Sequence, residues 1–257
     1  MSFQDKVVLV TGGSSGIGAA IAIKFAEEGA KVAIVGRNQE KLNDVAKKCG
    51  NPLVIQADVT KDEDIKRIVN ETVKKYGQID VLVNNAGIVQ IASIEADNAI
   101  EVFDKVMSTN LRSVVYLTSL AVPYLKKTKG NIINISSIAG IRVLSKEGFC
   151  YDTSKAGLDH FTRSVALELA SSGVRVNVIN PGPVKTDIMS NMGTPKEMED
   201  VILKNMQGMT ALGRISGPEE IAHLALFLAS DKADAITGSS FVSDNGMLLK
   251  AGVIGFN

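Results

Sequence analysis

The chain has 257 residues, of which 45% are hydrophobic, with 23 glycines and six prolines. This length and composition are typical of one large globular domain with a substantial core, and they exclude an intrinsically disordered chain. Lysine plus arginine balances aspartate plus glutamate at 28 each. The balance argues against a nucleic-acid-binding protein, which would carry a basic stripe.

The cysteines and the apolar segments indicate the compartment. Cys49 and Cys150 are too few for a disulfide framework. No N-terminal segment resembles a signal peptide, and no apolar run approaches the ~20 residues that span a bilayer. We therefore expect a cytoplasmic protein that does not act at a membrane.

Short β-branched runs alternate with longer amphipathic stretches along nearly the whole chain. The runs predicted to be strands are Lys6–Val10, Lys31–Val35, Leu53–Ala57, Ile79–Val83, Asn131–Ile135, Val174–Ile179 and Ser239–Ser243. Their continuous apolar character is what a parallel sheet covered by helices on both faces requires. The pattern predicts an α/β fold, a Rossmann-type doubly wound parallel sheet of about seven strands. We expect a single domain over residues 1–257, with a substrate flap at Asp187–Leu212.

A glycine-rich turn, Thr11–Gly18, follows the first predicted strand and precedes a helical pattern. Gly12, Gly16 and Gly18 would let the backbone approach a pyrophosphate at the N-terminus of that helix. The spacing is G-x-x-x-G-x-G, and a turn without a ligand is the alternative interpretation.

The same turn overlaps a second motif. Gly12–Gly16 also matches G-x-S-x-G, the nucleophile elbow of α/β-hydrolases, with Ser14 as nucleophile. Only one strand precedes Ser14, and both histidines, His160 and His223, lie inside amphipathic helical patterns, where partial burial is the expected role. A serine hydrolase stays open as an alternative.

The end of the second predicted strand bears on the cofactor. The strand ends in Gly36-Arg37-Asn38 and carries no acidic residue at its tip. A free ribose 2′-hydroxyl would call for a carboxylate there, whereas a 2′-phosphate would call for an arginine. The sequence therefore favours NADP over NAD, unless Arg37 is merely a solvent-exposed loop residue.

Tyr151 and Lys155 lie four residues apart in a helical pattern and hence on one helix face. A neighbouring cation favours the phenolate, so we expect a lowered tyrosine pKa and a role in proton transfer. A simple surface pair is the alternative. Ser136 and Ser137 close the fifth predicted strand, where a hydroxyl could hydrogen-bond a substrate oxygen or only cap the strand.

Taken together, these motifs resemble the short-chain dehydrogenase/reductase family over Asp5–Gly246. The other motifs that carry the resemblance are Asp58-Val59, Asn84-Asn85-Ala86-Gly87, Asn110, and Pro181-Gly182 with Thr186. The resemblance implies that Tyr151 is the general acid/base and Ser137 polarises the substrate carbonyl. It also implies that Lys155 holds the nicotinamide ribose and lowers the tyrosine pKa, while Asn110 supports a water-linked proton path.

The expected cofactor contacts combine these motifs with the residues they imply. They are Gly12, Ser14, Ser15, Gly16, Ile17, Gly18, Arg37, Asn38, Asp58, Val59, Asn84, Ala86, Gly87, Tyr151, Lys155, Pro181, Gly182, Val184 and Thr186. Asp58 would face the adenine, whereas Val184 and Thr186 would contact the nicotinamide carboxamide. No zinc-ligand spacing is present, and we expect no metal.

Ser137 is preferred to Ser136 because the family's catalytic serine is normally followed by two residues and a glycine, here Gly140. The chain departs from the family pattern in a Ser137-to-Tyr151 stretch that is one residue longer, and in Asp244–Gly246, where two glycines are common. The resemblance further implies a homotetramer or homodimer formed through the helices after Asn98 and Tyr151 and through the last strand.

The expected reaction moves a hydride between a nicotinamide and a ketone or secondary alcohol. The flap contributes Ile188, Met189, Met192, Met198, Met206 and Met209. This soft apolar set suits a bulky steroid-like or lipid-like ketone, or else it only packs two short helices of the flap. A non-catalytic NADP-binding regulatory module is the remaining alternative.

Overall fold

A computed structural model describes residues 2–187 and 195–250 of the chain. Its strands are β1 (Val7–Thr11), β2 (Lys31–Gly36), β3 (Leu53–Gln56), β4 (Val81–Asn84), β5 (Asn131–Ile135), β6 (Arg175–Pro181) and β7 (Ser240–Ser243). Its α-helices are α1 (Gly16–Glu27), α2 (Gln39–Lys48), α3 (Asp62–Tyr76), α4 (Ala99–Met107), α5 (Ser113–Thr128), α6 (Phe149–Leu169), α7 (Lys196–Met209), α8 (Pro218–Ala229) and α9 (Met247–Lys250).

The seven strands form one parallel sheet in the order β3-β2-β1-β4-β5-β6-β7. Every residue of β1, β4 and β5 is buried, because helices cover both faces of the sheet there. The predicted doubly wound Rossmann-type fold in a single domain is confirmed. The strand boundaries lie within one or two residues of the predicted ones.

Two apolar clusters flank the sheet. Successive residues of a strand point to opposite faces, so Val8 and Val10 pack with α1 and α8 while Leu9 packs with α3 and α5. Fully buried side chains such as Phe25 and Leu117 anchor the two sides. Burying a large apolar side chain contributes about 1.5–3 kcal/mol, so both layers fix the sheet firmly.

The strand order reverses between β1 and β4. The chain builds outward through β2 and β3 on one side, and through β5, β6 and β7 on the other. The connections that leave the carboxyl ends of β1 and β4 therefore diverge and open a crevice, the usual ligand position in such sheets.

The predicted flap is described only in part. Within its described portion, α7 is one helix of 14 residues with no buried residue. Met198 and Met209 are more than half exposed and Met206 is half-buried, so these three do not pack a core. Ile188, Met189 and Met192 lie outside the described residues. Among the described helices, none is long and apolar enough to cross a membrane.

Candidate active site

A cleft of about 250 Å³ opens at the carboxyl ends of β1, β4 and β5. The expected site residues that line it are Gly12, Ser14, Ser15, Gly16, Ile17, Arg37, Asp58, Val59, Ala86, Gly87, Tyr151, Lys155 and Thr186. The crevice that the topology creates is thus the place where the glycine turn and the Tyr151–Lys155 pair meet.

The glycine turn forms one end of the cleft. Gly12 adopts a φ of +65°, a left-handed conformation that favours glycine. A Cβ atom on Gly18 would overlap the Gly12 carbonyl oxygen and the Asn85 amide. The missing side chains let the turn pack closely against Asn85 and Ala86, and this tight turn at the N-terminus of α1 fits a dinucleotide pyrophosphate.

Asn85, part of the Asn84-Asn85-Ala86-Gly87 motif but not one of the expected cofactor contacts, holds this turn. Its Nδ2 atom donates to the carbonyl oxygens of Thr11 at 2.9 Å and Gly12 at 3.1 Å. The expected neighbour, Asn84, does not reach the cleft, because its side chain lies in the sheet and donates to Asn134 at 2.9 Å. The sequence motif indicates that the Asn84-Asn85 pair matters, but it does not indicate which of the two side chains faces the turn.

Asp58 lies on the wall that would face an adenine. Its Oδ1 atom accepts hydrogen bonds from the Thr60 N–H at 2.9 Å and the Thr60 hydroxyl at 2.8 Å. Burial alone would raise its pKa, but these bonds and the charge of Arg37 hold the pKa of Asp58 below its usual range. Thr60 also lines the cleft, although nothing in the sequence pattern distinguished it.

Arg37 is exposed at the end of β2 and lines the cleft beside Ser14. A Cβ atom on Gly36 would lie 3.1 Å from the Cβ and Oγ atoms of Ser14, so the glycine turn itself needs the small residue. Asn38 is placed just outside the cleft, where its Oδ1 atom accepts from the Lys41 N–H at 3.0 Å and caps α2.

Tyr151 and Lys155 both enter the cleft from α6. The Lys155 side chain is buried, and its Nζ atom donates to the Ile135 carbonyl oxygen at 2.9 Å. The same Nζ atom lies 5.7 Å from the centre of the Tyr151 ring. This is a cation–π distance, and the two residues are not a simple surface pair.

The environment of the pair shifts both pKa values. Burial raises the pKa of Tyr151 to about 12, although a hydrogen bond with Ser137 acts in the opposite direction. Burial lowers the pKa of Lys155 to about 8, partly opposed by the charge of Asp159. The expected lowering of the tyrosine pKa by Lys155 is therefore wrong for the protein alone, because desolvation of the phenol, together with the charge of Asp152, raises the pKa.

The two candidate serines have different surroundings. Ser137 accepts from the Ala139 N–H at 3.1 Å at the start of a 3₁₀ turn, and its side chain acts to lower the pKa of Tyr151. Ser136 is buried and donates to the Lys155 carbonyl oxygen at 3.2 Å. Ser136 lines the cleft and Ser137 does not, but Ser137 is the serine that acts on the phenol.

Asn110 is fully buried behind the cleft in a π-helical turn, Ser108–Arg112, between α4 and α5. Its Nδ2 atom donates to the Ser154 hydroxyl at 3.0 Å. A π-helical turn is rare and is often found at functional sites. No local sequence pattern predicts this turn.

Of the described residues that follow β6, 182–187, Thr186 and Asp187 line the cleft. Thr186 lines the cleft near Gly16. Pro181 ends β6, the Gly182 N–H donates to the Ser243 carbonyl oxygen at 2.9 Å, and Val184 forms a bridge with Ser216. These three support Thr186 and do not line the cleft themselves.

The hydrolase alternative finds no support in the geometry. His160 and His223 are both exposed, contrary to the expected partial burial, and neither lines the cleft with Ser14. Among residues 2–187 and 195–250, no group of three or more His, Cys, Asp or Glu side chains could hold a metal ion.

Comparison with known proteins decides the family. The model of the family described as enoyl-(acyl carrier protein) reductase matches residues 12–248. The similar proteins include a 3-oxoacyl-[acyl-carrier-protein] reductase FabG of Thermotoga maritima, 37% identical over 97% of this chain and 100% of the relative. A solved short-chain dehydrogenase/reductase of unknown function from Caenorhabditis elegans, with cofactor, is 37% identical and superposes with a TM-score of 0.93 over 97% of both chains. The chain belongs to the short-chain dehydrogenase/reductase family.

Relatives within this family differ in what their names describe. Besides the reductase above, a meso-2,3-butanediol dehydrogenase of Serratia marcescens is 36% identical over 96% of both chains. Both names are those of oxidoreductases that act on an alcohol or a carbonyl group. Membership of the short-chain dehydrogenase/reductase family makes this chain an NAD(P)-dependent oxidoreductase.

Proposed function

We propose that the protein is an NADP-preferring oxidoreductase that interconverts a ketone and a secondary alcohol by a Ser-Tyr-Lys mechanism. The observation that carries the proposal is the position of Ser137 beside Tyr151, where its side chain acts to lower the pKa of the phenol, with the buried Lys155 Nζ atom 5.7 Å from the ring centre. When bound, the nicotinamide supplies or accepts the hydride. The chain's own residues then orient the substrate and exchange its proton.

Each residue has a defined task in this proposal. The Ser137 hydroxyl donates to the substrate oxygen and stabilises the negative charge that develops on it. Tyr151 transfers the proton to or from the same oxygen. A pKa of about 12 keeps the phenol protonated at neutral pH, which suits the donor role in carbonyl reduction. Lys155, with a pKa of about 8, is charged at pH 7 and stabilises the phenolate that remains.

The preference for NADP rests on the wall near Arg37. Arg37 is exposed to the cleft, and the tip of β2 offers no carboxylate to a ribose 2′-hydroxyl. A guanidinium forms bidentate hydrogen bonds to a phosphate, each strengthened by charge. Arg37→Gln should weaken NADPH binding about tenfold or more and leave NADH binding unchanged. Lys47→Gln, on the far part of α2, is the control, and equal binding of NADPH by both variants would contradict the preference.

A small apolar groove beside α7 supports a bulky ketone substrate, steroid-like or lipid-like. It measures about 200 Å³ and is lined by Arg142, Val143, Leu144, Met209, Met247, Leu248 and Lys250. Methionine side chains adapt readily to the shape of an apolar ligand. Of the expected flap residues, Met209 lines this groove. It is the last residue of α7 and is exposed.

A panel of carbonyl compounds with NADPH and NADH, followed at the nicotinamide absorbance, tests the proposal. We expect faster turnover with NADPH and with bulky apolar ketones than with short polar ones. A non-catalytic NADP-binding module is the alternative. Such a module would bind NADPH but turn over no compound of the panel. The hydrolase alternative has a separate test, because a serine-reactive phosphonate that labels Ser14 would favour it.

Assembly into a homotetramer or homodimer is supported by exposed apolar side chains on the expected surfaces. Leu167 on α6 is 83% exposed, Ile100 on α4 is 68% exposed, and Val242 on β7 is 46% exposed. Sedimentation of the purified protein distinguishes these states from a monomer. A cytoplasmic location and the absence of nucleic-acid and membrane partners remain predictions from the composition.

A further inference from the structure

Asp159 is a buried carboxyl group that the proposed chemistry does not use. It lies on α6 one helical turn after Lys155, and it is 5% exposed. Its Oδ2 atom accepts from the Asn180 Nδ2 atom at 2.9 Å, whereas its buried Oδ1 atom has no hydrogen-bond partner within the described residues. A carboxylate is costly to bury, so its place directly behind the cleft calls for an explanation.

One hydrogen-bonded path leads from Asp159 to Ser137. The Asn180 Nδ2 atom donates to Asp159 and also to the Ser137 carbonyl oxygen, at 3.0 Å. Both hydrogens of this amide are thereby used, so the carboxyl fixes the orientation of Asn180. Asn180 in turn fixes the backbone of the serine whose hydroxyl meets Tyr151.

A second path leads from Asp159 to Lys155. Ser136 lies beside the Asp159 carboxyl and favours its ionised form, while the Ser136 hydroxyl donates to the Lys155 carbonyl oxygen at 3.2 Å. The turn after β5 also packs closely against Asp159, because a Cβ atom on Gly140 would lie 3.0 Å from the Asp159 Oδ2 atom. The carboxyl therefore joins the turn that carries Ser137 to the helix that carries Lys155.

The two charges also act on each other. The charge of Asp159 raises the pKa of Lys155 against the effect of burial, and that of Lys155 lowers the pKa of Asp159, which burial raises. Arg163, also on α6, is the other charged group that acts on Asp159 within the described chain. The groups that contact it from other elements, Ser136, Gly140 and Asn180, carry no charge.

We propose that Asp159 is a positioning residue for the reaction. Through Asn180 and the neighbouring Ser136 it fixes the backbones of Ser137 and Lys155, and its carboxylate lies on α6 one turn from the Lys155 ammonium. The inference rests on the proposed function, since the residues that it positions are those of the Ser-Tyr-Lys mechanism.

The test compares Asp159→Asn with wild type in two measurements. We expect kcat to fall about tenfold or more, because small displacements of reacting groups are costly. We expect the Lys155 titration to move down by about one pH unit or more, because a neighbouring negative charge is lost. The titration is followed by NMR of ¹³C-lysine-labelled protein, with the Lys155 signal assigned by its absence in Lys155→Met. Glu168→Gln, an exposed carboxyl on α6, is the control and should change neither quantity.

Two further variants separate position from charge. Asn180→Ala and Ser136→Ala each cut one path but keep the carboxyl, so kcat should fall while the Lys155 titration moves less than in Asp159→Asn. If Asp159→Asn does not fold, these two variants decide, and wild-type kcat in both overturns the proposal.

The remaining outcomes are also decisive. An unmoved Lys155 titration in folded Asp159→Asn overturns the proposal whatever the turnover, because a merely structural carboxyl could lower kcat without moving it. A moved titration with unchanged kcat overturns it as well. Wild-type protein that turns over no carbonyl compound contradicts the proposed function instead, and the titration, which needs no substrate, still measures the effect of Asp159.

Discussion

Asn110 and Ile88 are joined by two reciprocal hydrogen bonds: the Asn110 Nδ2 atom donates to the Ile88 carbonyl oxygen at 2.9 Å, and the Ile88 N–H donates to Oδ1 at 2.8 Å. The other Nδ2 hydrogen reaches the Ser154 hydroxyl, which donates to the Tyr151 carbonyl oxygen at 2.7 Å. Both donors of the amide are used, so the side chain connects the loop after β4 to the helix of the phenol. If Asn110 supports the expected water-linked proton path, it does so by fixing this loop and helix relative to each other.

Asn110→Asp should therefore destabilise the protein although it preserves the shape of the side chain. A carboxylate has no hydrogen for the Ile88 carbonyl oxygen, and the lost bond leaves a buried acceptor unpaired. We expect the free energy of unfolding to fall by about 1–3 kcal/mol, measured by urea denaturation. Asn98→Asp, exposed at the start of α4, is the control. Equal stabilities of the two variants would count against this role.

Tyr151→Phe should remove turnover and preserve the cofactor site. The ring and its packing remain, but the proton and the hydrogen bond with Ser137 are lost. We expect kcat to fall by ~10²-fold or more, the range that general acid catalysis supplies, with NADPH affinity within twofold of wild type. Tyr124→Phe on α5 is the matched control, and near-normal turnover in Tyr151→Phe would refute the assigned role.

Two glycine-to-alanine substitutions test whether the glycine turn, Thr11–Gly18, binds the cofactor at the N-terminus of α1. At Gly18 the new methyl group would overlap the Gly12 carbonyl oxygen and the Asn85 amide, so the turn must shift. We expect NADPH affinity to fall about tenfold or more, as for the loss of one charge-assisted hydrogen bond. At Gly208 in α7 no atom lies within 4 Å of the added Cβ, and alanine should favour the helix by up to ~1 kcal/mol. Equal loss of NADPH binding in both variants would contradict a cofactor-binding role of the glycine turn.

The buried ammonium of Lys155 predicts a specific pH dependence of stability. Its pKa falls from 10.5 to about 8 on folding, so between these values the unfolded chain binds more protons. Wild-type stability should therefore gain up to about 3 kcal/mol from this group as the pH rises from 8 to 10.5. Lys155→Met lacks this gain, so its stability relative to wild type should fall over that interval. A constant difference between the two proteins, measured by denaturation at pH 7.5 and 10.5, would show that Lys155 keeps its ordinary pKa.

The fold was readable from the sequence because the central strands are continuously apolar, a pattern that only two-sided burial explains. The strand ends were less accurate, as the prediction for Ile79–Val83 shows. Ile79 and Asp80 lie before β4, where the Thr128 hydroxyl donates to the Ile79 carbonyl oxygen and the Asp80 carboxylate accepts from the Val7 N–H. These are tertiary contacts, and local pattern carries no information about them.

Site residues could be predicted from the sequence where the residue type alone, such as glycine in a turn or a Tyr–Lys pair on one helix face, determines the role. Gly12, Arg37, Tyr151 and Lys155 all line the cleft, as expected. Asn84 and Asn85 are the same residue type, and only the pleat of the sheet decides which of the two faces the turn. The pKa of Tyr151 was also missed, because its desolvation depends on everything that surrounds the ring.

The α7 helix has no buried residue, whereas the cofactor cleft is built on fully buried strands. Substitutions in α7 therefore remove no packing from the core and should cost little stability, whereas changes beneath the cleft would destabilise the whole sheet. Selection can thus alter the surface around the groove that Met209 lines without disturbing the strands beneath the cleft. This separation offers a physical route by which proteins built on one scaffold diverge toward different alcohols and ketones.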